Sequence, residues 1–155
     1  MQTSKKTIIE LDSCGEKLSK ELSDIAIPNN PDVKTRAKIT SILRASNELM
    51  TQIAFNFLNK YPFSGNEAKS LFCKKTDILV STIFNLVRQK FHPLTHTSES
   101  QSLSLVAIGG FGRGEMAPYS DIDLLFLSKK TQTGWAKSVV ESVLYLLWDL
   151  KFKVG

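Results

Sequence analysis

Between positions 107 and 127 the chain reads AIGGFGRGEMAPYSDIDLLFL, and no other stretch constrains its folding so sharply. Four glycines, at 109, 110, 112 and 114, fall within six residues, at the end of the apolar run LSLVAI. Asp121 and Asp123 then flank Ile122 at the head of a second apolar run, IDLLFL. Short β-branched apolar runs suit buried strands, so 103–110 and 122–127 are expected to be strands. Backbone without Cβ takes positive φ and approaches a ligand closely enough for its N–H groups to meet phosphate oxygens. On a strand, residues 121 and 123 point to the same side, about 6–7 Å apart at Cα. Unpaired carboxylates so placed repel each other and raise each other's pKa. A divalent cation between them removes the conflict, and magnesium prefers oxygen ligands.

Plainer readings stand beside this one. The glycines also suit a strand-to-helix turn without ligand, with Asp121 capping a turn after Ser120 and Asp123 in a surface ion pair. A P-loop needs Gly-Lys-Ser/Thr, whereas Gly114 is followed by Glu115 and Met116. Gly112, Gly114 and Ala117 fit the dinucleotide pattern G-x-G-x-x-A, but Pro118 follows where that pattern's helix continues. Proline in a helix interior costs about 3 kcal/mol. Glycines closing one strand and carboxylates opening the next together equip a chain for phosphoryl or nucleotidyl transfer.

The rest of the chain supplies a helical frame. Residues 1–31 are polar, mixed in charge and end in PNNP, which predicts a loosely ordered arm with at most a short helix in 16–25. Residues 32–101 read as a helical lead-in. From Asp32, a candidate N-cap, apolar residues recur at three- and four-residue spacing to Leu58. Pro62 and Gly65 break the pattern, and a second helix over 66–90 is expected to pack antiparallel to the first. The polar stretch 92–101 is a connector; its His92 and His96 lack the partner ligands of a metal site. Residues 102–155 hold the two strands, a turn at KKTQTG, a helix over 135–150, and KFKVG as the start of a third strand.

A length of 155 residues suits one domain with its own core. The net charge of +5 is scattered, with no basic cluster longer than two lysines, so a nucleic-acid partner is not expected. Cys14 and Cys73 form no spacing motif, which fits a reducing cytoplasm. No run of about 18 apolar residues predicts a membrane span.

Gly-Gly, a spacer and Asp-x-Asp in an apolar strand resemble the nucleotidyltransferase superfamily of the DNA polymerase beta type. Within it, GGFGRGEMAPYSDIDLLFL and the later LLWDLKFKVG resemble the bacterial protein-PII uridylyltransferase/uridylyl-removing enzymes. The resemblance covers most of 35–155. It implies an α+β fold, an N-terminal helical hairpin followed by the first part of a nucleotidyltransferase core. It also implies that backbone N–H groups of Gly109 and Gly110 hold the triphosphate of UTP, with Gly112, Arg113 and Ser120 as further nucleotide-binding candidates. Asp121 and Asp123 would bind Mg²⁺ and activate a tyrosine hydroxyl of the PII signal protein for attack on the α-phosphate. Arg113 meets either phosphate or Glu115; for Ser120 a capping role is preferred over a phosphate contact.

Departures from the family pattern matter as well. The superfamily usually places a third carboxylate on a later strand, and no candidate for it precedes Gly155; Asp149 falls on the helix side. The hydrolase and sensing domains of the family are not in this sequence. The alternatives are therefore an inactive truncated remnant, or another nucleotidyltransferase such as a glutamine-synthetase adenylyltransferase.

Overall fold

Asp32 sets the first long helix of the lead-in: its Oδ1 accepts the Thr35 N–H at 2.8 Å, satisfying one of the donors a helix start leaves open. The computed structural model describes residues 2–28, 31–94, 102–129 and 133–155. Three α-helices come first: α1 (Gln2–Ser23), α2 (Val33–Lys60) and α3 (Gly65–Leu86). A π-helical turn over Val87–Phe91 ends α3. Strand β1 (Leu103–Ala107), a single helical turn α4 (Gly109–Gly112), strand β2 (Leu124–Ser128) and helix α5 (Gly134–Asp149) complete the α+β architecture. No helix among the described residues is long and apolar enough to cross a membrane.

The expectation for 1–31 is overturned. Instead of a loose arm with a short helix in 16–25, α1 runs from Gln2 to Ser23. Its Leu11, Leu18 and Leu22, spaced seven and four apart, are buried on one stripe. Gly15 is the point of closest approach, because a Cβ there would lie 2.7 Å from Ile78 Cγ2 of α3. Lys74 and Asp12 close the same contact with an ion pair at 2.7 Å.

Helices α2 and α3 form the expected antiparallel pair. Phe55 meets Phe72 edge-on at 5.2 Å, and further from the turn Asn47 meets Lys75, so one helix descends as the other rises. Ile39, Leu43, Met50 and Ala54 of α2 face Leu71, Leu79 and Ile83 of α3 in the core. Val33 and Leu49, counted in the apolar stripe from spacing, point to solvent. The π turn carries Phe91 into the core, and His92 then anchors α5. His92 Nε2 pairs with Ser142 Oγ at 2.9 Å, and Trp135 Nε1–H donates to the His92 carbonyl. His96 and part of the KKTQTG turn lie outside the described residues.

The two strands pair antiparallel, with Leu103 opposite Ser128 and Ala107 opposite Leu124. The expected strand ends shift: β1 stops at Ala107, and Ile122 precedes β2 as an isolated parallel bridge to Val154. That bridge bears on KFKVG. Ile122 N–H donates to the Lys153 carbonyl, and Leu124 N–H to that of Gly155, so residues 153–155 lie along the free side of β2. The strands are not buried on both faces as expected. Leu103 and Leu124 face the helices, whereas Val106, Leu125 and Leu127 are exposed, because helices cover one face alone.

Candidate active site

The glycine turn is shaped by what lies against it. After β1, Ile108 N–H donates to the Asp123 carbonyl at 3.0 Å, so the chain leaves one strand still tied to the other. Gly109 then takes φ 56°, in the left-handed region that favours glycine. A Cβ at Gly109 would overlap the Asp123 carboxylate. At Gly112 a Cβ would lie 2.5 Å from the Ala107 carbonyl oxygen, because α4 folds back on the end of β1. Gly109 and Gly110 occupy the first positions of α4, where N–H groups have no carbonyl one turn earlier to bond. Glu115 N–H closes the loop onto the Gly110 carbonyl at 2.8 Å.

The aspartates follow the alternation of an extended chain. Asp121 is exposed, Ile122 fully buried, Asp123 half-buried and Leu124 buried. The Asp123 carboxylate sits between Gly109 and Gly155; Oδ1 is 2.9 Å from where a Cβ on Gly155 would be. Among the described residues neither carboxylate takes a side-chain hydrogen bond or an ion pair. Two unpartnered carboxylates on one side of an extended segment are a hard-oxygen donor set that fits magnesium. No group of three His, Cys, Asp or Glu able to hold a metal occurs among the described residues. Substrate oxygens and water would have to complete such a coordination shell.

The other candidates have partners of their own. Arg113 Nε pairs with Glu115 Oε2 at 3.1 Å, both side chains well exposed. Ser120 Oγ accepts the Ala117 N–H at 2.9 Å, and Ser120 N–H returns to the Ala117 carbonyl. Tyr119, between them, is exposed and held at φ 66°. Gly109 and Asp123 thus meet beside the Ile108–Asp123 link, with Gly110 next in the turn and Asp121 two residues before Asp123, while Gly112 braces the turn and Ser120 the approach to Asp121. Asp149 ends α5, where its carbonyl accepts from Arg44 at 3.0 Å.

Sequence reasoning passed over Lys75, a buried lysine in a cleft that Met116, Ala117, Tyr119 and Ser120 also line. The signal was present: Lys75 stands four residues from both Leu71 and Leu79, on the stripe that α3 buries.

Comparison with known proteins gives a family match and relatives. Residues 96–154 match the nucleotidyltransferase domain family. The bifunctional uridylyltransferase/uridylyl-removing enzyme of Ruegeria pomeroyi is 42% identical over 121 residues, 77% of this chain and 13% of that protein. Its counterpart from Erythrobacter litoralis is 35% identical over 84% of this chain and 14% of its own length. That from Cereibacter sphaeroides is 49% identical over 52% of this chain and 9% of its own. The chain thus spans less than a sixth of these relatives. No solved structure matches it.

Proposed function

We propose that this chain, whose residues 96–154 match the nucleotidyltransferase domain family and which is similar to the bifunctional uridylyltransferase/uridylyl-removing enzymes, serves UTP-dependent uridylylation of a tyrosine on the PII signal protein, in the cytoplasm. The contact of Gly109 with the Asp123 carboxylate carries the reading, because it sets bare backbone beside one of the two carboxylates. Backbone N–H groups of Gly109 and Gly110 take the triphosphate oxygens. Asp121 and Asp123 would hold Mg²⁺, which when bound neutralises phosphate charge and polarises the α-phosphorus. The acceptor hydroxyl attacks that phosphorus, the bond to the β-phosphate breaks, and pyrophosphate leaves. The hydroxyl proton passes to a carboxylate of the pair. Arg113 pairs with Glu115 within the same turn, where a phosphate would compete for it.

A second reading, nucleotide binding without turnover, is favoured by one observation: no third acidic or imidazole ligand joins the aspartates among the described residues. UTP radiolabelled at the α-phosphate, incubated with Mg²⁺, PII and the chain, separates the two. Label on PII that disappears in Asp121→Asn/Asp123→Asn supports transfer. Magnesium-dependent UTP binding without label supports the second reading, and label that persists in the double variant sinks the metal-site assignment.

A further inference from the structure

A cleft of about 660 Å³ lies between α2, α3, residues 116–120 and the 150–153 link. Its volume is that of small-molecule sites. Lys75 lines it, only 7% exposed. The Lys75 ammonium donates to Asn47 Oδ1 at 2.7 Å and lies 5.4 Å from the centre of the Phe152 ring. No carboxylate pairs with it among the described residues. Burial pulls its pKa down to about 8. An ammonium has three donors, and one is used among the described residues. A buried cation without counter-charge is costly, and an apolar side chain of the same length would pack as well.

The rest of the lining says what would supply the missing charge. Lys151 and Lys153 add two cations at the rim against the single carboxylate of Glu48. Phe55, Phe72 and Tyr119 add aromatic surface, the Phe55 and Tyr119 rings standing 6.0 Å apart. We propose that this cleft binds a small organic anion, its carboxylate or phosphate on the Lys75 ammonium and its apolar body among Phe55, Phe72 and Phe152. Neither Asp121 nor Asp123 lines this cleft, which shares only Ser120 with the residues of the uridylylation reading. Its walls nonetheless hold the segment that carries them: Ser120 precedes Asp121, and the Lys153 carbonyl accepts the Ile122 N–H at 2.8 Å.

Phenyl phosphate and phenylacetate, titrated into the full chain carrying isotope-labelled lysine, test this by NMR. Binding is expected to move the Lys75 side-chain signal saturably at millimolar probe and to raise its titration midpoint, because a nearby anion favours the charged form. A response to phenyl phosphate alone identifies a phosphate site, to phenylacetate alone a carboxylate site, and to both a general anion site. Lys75→Met should weaken binding roughly tenfold or more. Tyr119→Ala, on the exposed wall, should weaken both aromatic probes while leaving the fold intact. An unmoved Lys75 signal with both probes overturns the proposal. So does equal binding by Lys75→Met, or binding that requires Mg²⁺ and both aspartates.

Discussion

Gly109 lies directly against the carboxylate of Asp123, so that any side chain at Gly109 would occupy the space the carboxylate fills. The Ile108 N–H to Asp123 carbonyl bond, at 3.0 Å, holds the same two segments together through the backbone. The glycine turn and the carboxylate strand are therefore one packed unit, and a change in either displaces the other.

Gly109→Ala meets two penalties, the left-handed backbone at φ 56° and overlap with Asp123. Holding a non-glycine residue in such a conformation costs about 1–3 kcal/mol. Its urea midpoint should fall accordingly, and UTP binding should be lost. Gly65→Ala is the control, since a Cβ there meets nothing within 4 Å. A loss at Gly109 no greater than at Gly65 would refute the packed-unit description.

Neutralising the aspartates should have the opposite profile. Neither carboxylate has a side-chain partner among the described residues to lose. Asp121→Asn/Asp123→Asn should keep its stability in metal-free buffer to within about 0.5 kcal/mol. Magnesium-dependent UTP binding, followed by calorimetry, should vanish. Collapse of the fold in metal-free buffer would instead make the aspartates structural.

The helices with regular spacing were legible: α2, α3 and α5 lie close to where apolar periodicity put them, and Asp32 caps α2 as expected. Helix α1 was not, because its three buried leucines are diluted among polar residues and Gly15 reads as a breaker. Tertiary packing decides there, since Gly15 is the residue that lets α1 reach Ile78. The glycine and aspartate motif was legible as letters, but its contact is not. Gly109 and Asp123 are fourteen residues apart in sequence, and the strand register together with the Ile108 N–H to Asp123 carbonyl bond brings them into contact. Lys75 was legible only as an anomaly of register on α3.

That account of α1 can be tested at Gly15. A leucine there would drive into Ile78, and overpacking of this kind typically costs about 1–3 kcal/mol. Gly15→Leu should lower the thermal midpoint despite leucine's better helix propensity. An unchanged or raised midpoint would mean that α1 does not press on α3.

His92 predicts an acid limb. Burial, and secondarily the Arg36 guanidinium, hold its pKa below the ordinary histidine value. Below that ordinary value the unfolded chain binds a proton that the folded chain does not, so stability falls as pH falls through this window. In His92→Gln, urea midpoints compared between neutral and mildly acidic pH should show a shallower decline than in the parent.

Lys75 predicts an alkaline counterpart of the same origin, burial of a cationic group. Its pKa is drawn from 10.5 to about 8 by burial. Between those values the unfolded chain holds a proton that the folded chain lacks, so stability rises with pH across the window. Below it the full cost of the buried charge is present, about 3 kcal/mol for a shift of this size. Cys14 and Cys73, whose thiols burial pushes up, titrate at the upper end with the opposite slope. Lys75→Met shares both cysteines, so the difference between the two proteins isolates the lysine. At neutral pH Lys75→Met should be the more stable, and the gap should close as pH climbs past the lysine's folded value. Parallel urea-midpoint curves for the two proteins would show that the ammonium is already compensated in the folded chain.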